Sequence, residues 1–350
     1  MLFDLPPHAT LYEALAARDK SWDGRAYVGV SSTGIFCRFG CPARTPKPEN
    51  CSFYETVAEC LEAGFRACKR CHPLKPAALI EPVIQTLLDA FAARPDHRWR
   101  EPDIAALGID PSTARRAFKR HYGLTFLEMA RLDRLRRGFE TLSDGGRVID
   151  AQLDAGFESP SAFREAFSKL LGEAPGHLAK DALLRADWVE TPIGAMIAVA
   201  DKNALCLLEF TDRKALPKEL ATLRKAAKGS LGFGRFAPHD QIARELEAYF
   251  AGTSPTFETS IAPLGTPFSQ KVWQALRTIP AGRTVSYGDL ARQIEQPTAT
   301  RAVARANGAN PLALIVPCHR VIGADGSLTG YGGGLWRKQK LIEIERAYAR

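Results

Sequence analysis

Two groups of residues in this 350-residue chain have the types and spacing to do chemistry. The first is Pro317-Cys318-His319-Arg320-Val321, preceded by Asn307-Gly308-Ala309-Asn310-Pro311 and followed by Tyr331-Gly332-Gly333-Gly334-Leu335. A cysteine beside a histidine, entered through a proline and framed by the apolar run Leu312–Val316 and a glycine loop, reads as a positioned nucleophile. The rival reading is a buried cysteine at a strand end, because a free cysteine usually behaves as a small hydrophobe. The second group is Cys37 and Cys41, then Cys68 and Cys71, two close pairs that offer four thiolates to one tetrahedral zinc. Cys51 and Cys60 stand outside the pairs and read as core residues or spare thiols. Such a zinc could be a staple alone, but Arg38, Arg44, Arg66, Lys69 and Arg70 surround the ligands and suit a phosphate.

The elements that must hold these residues belong to a chain too long for one ordinary core, so two to four domains are expected. Hydrophobic content of 45% and charged content of 25% are those of a globular protein, and a formal charge of +8 favours a polyanionic partner, with nucleic acid foremost. No apolar run has the length of a membrane span, and Met1–Leu15 lacks a signal-peptide pattern, so the expectation is a cytoplasmic protein. Eight cysteines there call for metal or chemistry rather than disulfides.

After a proline-rich connector, His72–Pro82, the chain from Val83 to about Lys180 is helical in pattern and carries a repeat. Asp110-Pro111-Ser112-Thr113-Ala114-Arg115-Arg116-Ala117-Phe118 recurs 49 residues later as Ser159-Pro160-Ser161-Ala162-Phe163-Arg164-Glu165-Ala166-Phe167, each copy followed by a glycine, Gly123 or Gly172. In each, an N-cap Asp or Ser precedes a proline at the first helical position. With Ile104–Gly108 and Ala151–Gly156 as preceding helix and turn, these form two helix-turn-helix units. Ser112, Arg115, Arg116, Ser161 and Arg164, near the starts of the second helices, are candidates for DNA contact. Ten Lys or Arg against five Asp or Glu between Arg98 and Arg137 fit a phosphate-facing surface. The first unit has Leu107-Gly108-Ile109 where the second has Gly156-Phe157-Glu158, which predicts an altered turn.

A linker is expected at Asp181–Asp187, then a hairpin of Val189–Ala200 and Leu205–Phe210, and an amphipathic helix over Gln241–Phe250. This region reads as scaffold. Phe268–Thr278 is a further helix, Ser286 and Asp289 form a capping box, and Ala299–Asn307 is a second helix of a third helix-turn-helix, placed just before Cys318. A thiol delivered beside a DNA-reading helix suggests chemistry on DNA.

Three resemblances sharpen this. Thr33-Gly34-Ile35-Phe36-Cys37-Arg38, Cys41-Pro42-Ala43-Arg44 and Gly64-Phe65-Arg66-Ala67-Cys68-Lys69-Arg70-Cys71 resemble the zinc domain of the Ada adaptive-response family. The resemblance implies one Zn2+ held by Cys37, Cys41, Cys68 and Cys71, methyl transfer from DNA methyl phosphotriesters to Cys37, and phosphate contacts from Thr33, Arg44 and Arg66. Zinc would keep the sulfur deprotonated yet nucleophilic, and a methylated Cys37 would carry less negative charge toward DNA, converting repair into a transcriptional switch. The paired helix-turn-helix units, with Ala155-Gly156-Phe157-Glu158-Ser159 in the second, resemble AraC-type activators. The last 85 residues resemble O6-alkylguanine-DNA alkyltransferases. There the implied roles are Cys318 as acceptor, made a thiolate by His319 acting through a water, and Glu345 orienting His319, with Glu343 its competitor for that role. Asn310 would tie the loops, Tyr287 would turn and protonate the guanine, Arg301 would fill the gap left by the flipped base, and the Tyr331 loop would wall the pocket.

The expected fold is multidomain α+β: a small zinc-bound domain (1–75), an all-α AraC-type double helix-turn-helix domain (83–180), a ribonuclease H-like α/β subdomain (187–265) and a winged-helix-like alkyltransferase domain (266–350). The expected function is single-turnover methyl transfer from O6-alkylguanine, and O4-alkylthymine, to Cys318 and from phosphotriesters to Cys37, the latter activating transcription. Double-stranded DNA and RNA polymerase are the implied partners of a monomer. A cysteine hydrolase built on Cys318, His319 and Glu345 is disfavoured because such enzymes bring Cys and His from distant segments. Zinc deaminase chemistry would need a His-x-Glu segment with Pro-Cys-x-x-Cys, which these cysteines lack. The other alternative is a zinc-dependent AraC-type regulator whose C-terminal domain senses damage without turnover.

Overall fold

The computed structural model describes residues 5–19, 22–23, 26–71, 73–74, 82–178, 181–346 and 348. It resolves into two compact units, Met1–Glu81 with Gly323–Leu328, and Pro82–Ile322 with Thr329–Arg350. Most of the connector expected at His72–Pro82, and Lys180 at the expected end of the helical domain, lie outside the described residues.

The first unit sets helix α1 (His8–Ala16) and the short α2 (Val57–Glu62) beside a sheet of β1 (Tyr27–Val30), β2 (Ile35–Cys37), β3 (Cys51–Tyr54) and β4 (Arg66–Ala67), in the order β3-β1-β2-β4. β1 pairs antiparallel with β2 and β3, while β4 joins β2 in parallel with Ile35 opposite Arg66. That register matters: it brings the segment leading to Cys68 alongside the one ending at Cys37. The core is small, with Leu11, Leu15, Trp22, Val28 and Phe39 buried around the cysteines. Cys51 and Cys60 are buried, as core residues should be.

The second unit begins with six helices, α3 (Pro82–Ala93), α4 (Glu101–Ala106), α5 (Pro111–Tyr122), α6 (Phe126–Ser143), α7 (Val148–Asp154) and α8 (Pro160–Leu171). α5 and α8 start at the two prolines, and the side chains of Asp110 and Ser159 accept from the backbone N–H three residues on. α4 and α7 each end in a left-handed glycine, Gly108 (φ 73°) and Gly156 (φ 63°), followed by a buried apolar residue, Ile109 or Phe157. Between glycine and cap the first unit has one residue fewer, Ile109 against Phe157-Glu158, so its turn is altered as expected.

The chain continues into β5 (Leu184–Val189), β6 (Met196–Ala200), β7 (Leu205–Phe210), α9 (Leu216–Ala226), β8 (Leu231–Phe233) and α10 (Ala237–Phe250), the strands ordered β7-β6-β5-β8. Two expectations are corrected here. Residues 184–187 are strand rather than linker, and the single strand expected over Val189–Ala200 is broken by a turn between β5 and β6. The misleading residue is Asp187, which is buried in β5 and paired with Arg235 rather than exposed. α11 (Pro267–Arg277), β9 (Val285–Ser286), α12 (Tyr287–Gln293), α13 (Thr300–Gly308), β10 (Val321–Ile322) and α14 (Leu335–Arg346) complete the fold, with β9 and β10 parallel.

The sheet is buried on both faces. Alternation along β6 sends Met196, Ala198 and Ala200 to one core and Ile197 and Val199 to the other. The first core packs against α10–α14 and the Cys318 segment. The second packs Ile197, Val199, Leu207 and Trp188 against Leu216, Leu220 and Leu223 of α9, and against Phe139 of α6 and Phe163, Phe167 and Leu171 of α8. The second helix-turn-helix and the sheet therefore share one apolar core. Each fully buried side chain of this kind contributes about 1.5–3 kcal/mol relative to exposure. Among the described residues no helix is long and apolar enough to cross a membrane.

Candidate functional site

Cys37 ends β2, Cys41 follows in the next turn, Cys68 follows β4, and Cys71 closes the turn after it. Their four sulfurs lie within 4.8 Å of one another, with Cys41 Sγ and Cys68 Sγ 4.0 Å apart. A tetrahedron with metal–sulfur bonds of about 2.3 Å has edges of about 3.8 Å, so the cluster has the size of a zinc site. The N–H groups of Arg38 and Arg70 donate to the sulfurs of Cys71 and Cys68, each over 3.4 Å. Among the sulfurs themselves one proton is contested: the hydrogen bond from Cys37 draws the Cys71 thiol down to about 5, while that same bond and burial push Cys37 up. Four thiolates this close repel strongly without a cation, and an all-sulfur donor set suits Zn2+. Of the expected phosphate contacts, Thr33 is exposed in the β1–β2 turn, Arg66 is exposed on β4 beside that turn, and Arg44 is exposed beyond Cys41.

The helix-turn-helix candidates all face solvent. Ser112 donates to the cap Asp110 at 2.6 Å and Arg116 to Thr113 at 3.1 Å, while Arg115 pairs with Glu101 and Ser161 contacts Ser159 at 3.1 Å. Arg164 is exposed near the start of α8.

The Cys318 site is built at the exit of α13. Trp273 of α11 donates to the Ala306 carbonyl at 2.9 Å and fixes the helix, while Arg301 stands exposed in its first turn. Asn310, fully buried, donates from Nδ2 to Val316 O (2.8 Å), Leu312 O (3.3 Å) and Cys318 Sγ (3.1 Å), and its Oδ1 accepts from Leu312 N (2.9 Å). It thus holds the loop closed and touches the sulfur. His319 is fully buried and bonds through Nε2 to Glu345 Oε1 at 2.9 Å, leaving Nδ1 as its free nitrogen. The sulfur's direct hydrogen-bond partner is therefore Asn310, with His319 at one remove. Tyr331 presents its ring edge-on to His319, with centroids 6.5 Å apart, and Tyr287 donates to Thr329 O at 3.5 Å.

Glu345 is the hub. Besides His319 it accepts from Arg320 through Nε (2.8 Å) and Nη2 (2.7 Å), from Tyr249 OH (2.9 Å) and from Gly282 N (3.3 Å). Burial opposes its charge, but His319 and Arg320 outweigh that and hold its carboxyl far below the usual carboxylate range. The competitor Glu343 is exposed and pairs with Gln339 and Lys340.

Burial pushes the Cys318 thiol up to about 11, against the opposing pull of Asn310, Arg213 and Lys338. Burial thus favours the protonated form of this sulfur, while Asn310, Arg213 and Lys338 favour the thiolate.

Sequence reasoning missed several participants. Arg320 sat in plain view inside the motif. Tyr249 on α10 and Arg213 after β7 come from the region read as scaffold, and Arg213 donates to Asn310 O and Gly308 O. Lys338 is fully buried, pushed down to about 8 by that burial, and donates to Val321 O and Thr329 O. Arg337 fastens the glycine loop through Gly333 O (2.8 Å) and binds Asp212 through both carboxylate oxygens.

With this geometry in view, comparison with known proteins finds three families along the chain. Residues 10–73 match the metal binding domain of Ada, 104–181 a helix-turn-helix domain, and 267–347 the DNA binding domain of 6-O-methylguanine DNA methyltransferase. The bifunctional transcriptional activator/DNA repair enzyme Ada of Escherichia coli is 35% identical over 351 residues, covering 95% of this chain and 95% of that protein. A methylated-DNA–protein-cysteine methyltransferase of Mycobacterium leprae is 45% identical over 158 residues, 45% of this chain and 90% of that protein. The crystal structure of the O6-methylguanine methyltransferase of Mycobacterium tuberculosis, 41% identical, aligns with a TM-score of 0.42 over 48% of this chain and 95% of that one.

Proposed function

Because the chain belongs to the Ada family of bifunctional transcriptional activators and DNA repair enzymes, we propose that Cys318 and Cys37 are its two acceptor thiols. The chain is a methylated-DNA–protein-cysteine methyltransferase and a transcriptional activator that binds DNA. The observation that carries the assignment to Cys318 is its buried sulfur, held 3.1 Å from Asn310 Nδ2 beside the His319–Glu345 pair.

A carbon on O6 of guanine cannot be attacked inside a stacked duplex, so the base is extruded, with Arg301 filling the gap and the Tyr331 loop lining the pocket. Sulfur attacks the alkyl carbon, the carbon–O6 bond breaks, and the thiol proton passes through a water to His319 Nδ1. Glu345 stabilises the imidazolium through Nε2, Tyr287 protonates the departing guanine, and the proton held by His319 returns through water to the Tyr287 phenolate, leaving neutral guanine and an S-alkylcysteine. The product is a thioether, which has no route back. Each site reacts once.

In the N-terminal unit, Thr33, Arg44 and Arg66 hold the phosphate while the Cys37 sulfur takes a methyl from its oxygen. When bound, Zn2+ keeps the four sulfurs deprotonated and leaves the Cys37 sulfur nucleophilic. Converting that thiolate to a thioether removes one negative charge from a surface facing DNA, which strengthens binding. Ser112, Arg115, Arg116, Ser161 and Arg164 then read or grip promoter DNA, and RNA polymerase is the downstream partner of a cytoplasmic monomer. We retain the division into 1–75, 83–180 and 266–350 as the functional one, with the third subdomain starting at Leu184, where β5 begins, instead of at 187.

Peptide mapping after exposure to DNA carrying O6-methylguanine and to DNA carrying methyl phosphotriesters tests both assignments. One methyl is expected on the Cys318 peptide from the first and one on the Cys37 peptide from the second. Lesion removal by Cys318→Ala, or labelling at Cys51 or Cys60 in place of Cys37, would sink the corresponding assignment.

A further inference from the structure

Arg213 lies just after β7 and has no part in the chemistry above, yet its guanidinium spans the site. It is 8% exposed. Nη1 donates to Asn310 O at 3.3 Å and Nη2 to Gly308 O at 3.0 Å, the two carbonyls where α13 gives way to the Asn310 loop. Each nitrogen also meets a carboxylate 2.9 Å away, Nη1 that of Glu209 and Nη2 that of Glu219. Gly332, beside Tyr331, packs directly on the same group: a Cβ there would lie 2.6 Å from Nη1 and 2.9 Å from Cζ. One cation thus joins the loop whose Asn310 holds the sulfur to the loop whose Tyr331 faces His319.

Burying a guanidinium and the 1%-exposed Glu209 carries a large desolvation cost, and apolar residues of similar volume commonly stabilise such a position as well or better. Fold stability alone therefore does not account for a buried charge aimed at two carbonyls of the site. Resting on the alkyl-transfer reading of Cys318, we infer that Arg213 is a positioning residue: it clamps Gly308 and Asn310 against the Gly332 loop and so keeps the Asn310 amide on the sulfur. Its charge also favours the thiolate, opposing Glu209.

The test is single-turnover methyl transfer by the full chain on an O6-methylguanine oligonucleotide, with Arg213→Met, Arg213→Lys and the double variant Glu209→Gln/Arg213→Met. A misplacement on the scale of 1 Å lowers a rate by about 100-fold, and that loss is expected in the limiting rate of both Met variants, with DNA affinity within about twofold of wild type. The double variant, free of the orphaned charge at the fully buried Glu209 and leaving only the less buried Glu219 without its partner, should regain much of the lost melting temperature without regaining the rate. Arg213→Lys, which cannot grip both carbonyls, should recover the rate only in part. The inference fails if the rate of the double variant returns with its stability, or if Arg213→Lys or Arg213→Met reacts at the wild-type rate. If the wild type itself leaves Cys318 unmethylated, the alkyl-transfer reading falls instead.

Discussion

At the scale of single residues, Glu345 ties together four residues from three other parts of the chain, and its removal should be felt in both stability and reaction. Glu345→Gln leaves Arg320 buried without its counter-charge, a loss of about 3–5 kcal/mol, measurable by urea unfolding, and should abolish methyl transfer to Cys318. The sign of the pH dependence follows from its depressed pKa. An ordinary Glu titrates at about 4.3, so the stabilisation is present above that value and is lost as pH falls through the lower folded value. Wild type should therefore lose stability below about pH 4.3 more steeply than Glu345→Gln, and parallel acid profiles would show that Glu345 is not the hub. The residues of this site divide sharply in legibility. Cys318, His319 and Asn310 sit within one short motif, and Glu345 could be placed through the family resemblance alone, by its spacing after Leu341-Ile342. Tyr249 and Arg213 act 96 and 97 residues away from their partners, and no local pattern carries such a pairing.

At the scale of elements, caps and prolines made α5 and α8 readable to the residue, because Asp110 or Ser159 followed by proline satisfies the first orphaned N–H groups of a helix in only one register. β5 was unreadable for an equally physical reason. A strand buried on both faces need not alternate, and Arg185 and Asp187 gave it the look of a linker until Arg235 and the Phe236 ring supplied their partners. The two helix-turn-helix units should be separable from the thiol chemistry by mutation. Arg164→Ala is expected to weaken promoter binding by about 1–3 kcal/mol in a gel-shift titration while leaving the single-turnover rate at Cys318 unchanged. Equal promoter affinity would remove α8 from the DNA interface.

For the whole molecule, the two units draw their stability from different sources. The first has a small core around four sulfurs, the second two large apolar cores. Stripping zinc with a chelator should unfold the first unit and end phosphotriester repair, with O6-methylguanine transfer by Cys318 retained; loss of both activities would contradict this division. Within the second unit, Phe167→Ala should cost about 3–5 kcal/mol and lower promoter binding and alkyl transfer in a single thermal transition, because Phe167 belongs to the core that α8 shares with the sheet.

That shared core has a consequence for a cut chain. A protease nick just before Leu184 severs the backbone between α8 and β5 but leaves Phe163, Phe167 and Leu171 in the buried cluster they share with Ile197, Val199 and Leu207, with the Phe167 ring 5.8 Å from that of Phe233. The pieces should co-elute on a sizing column and part only in denaturant, so the damage reader and the promoter reader would stay joined after the peptide bond between them is gone.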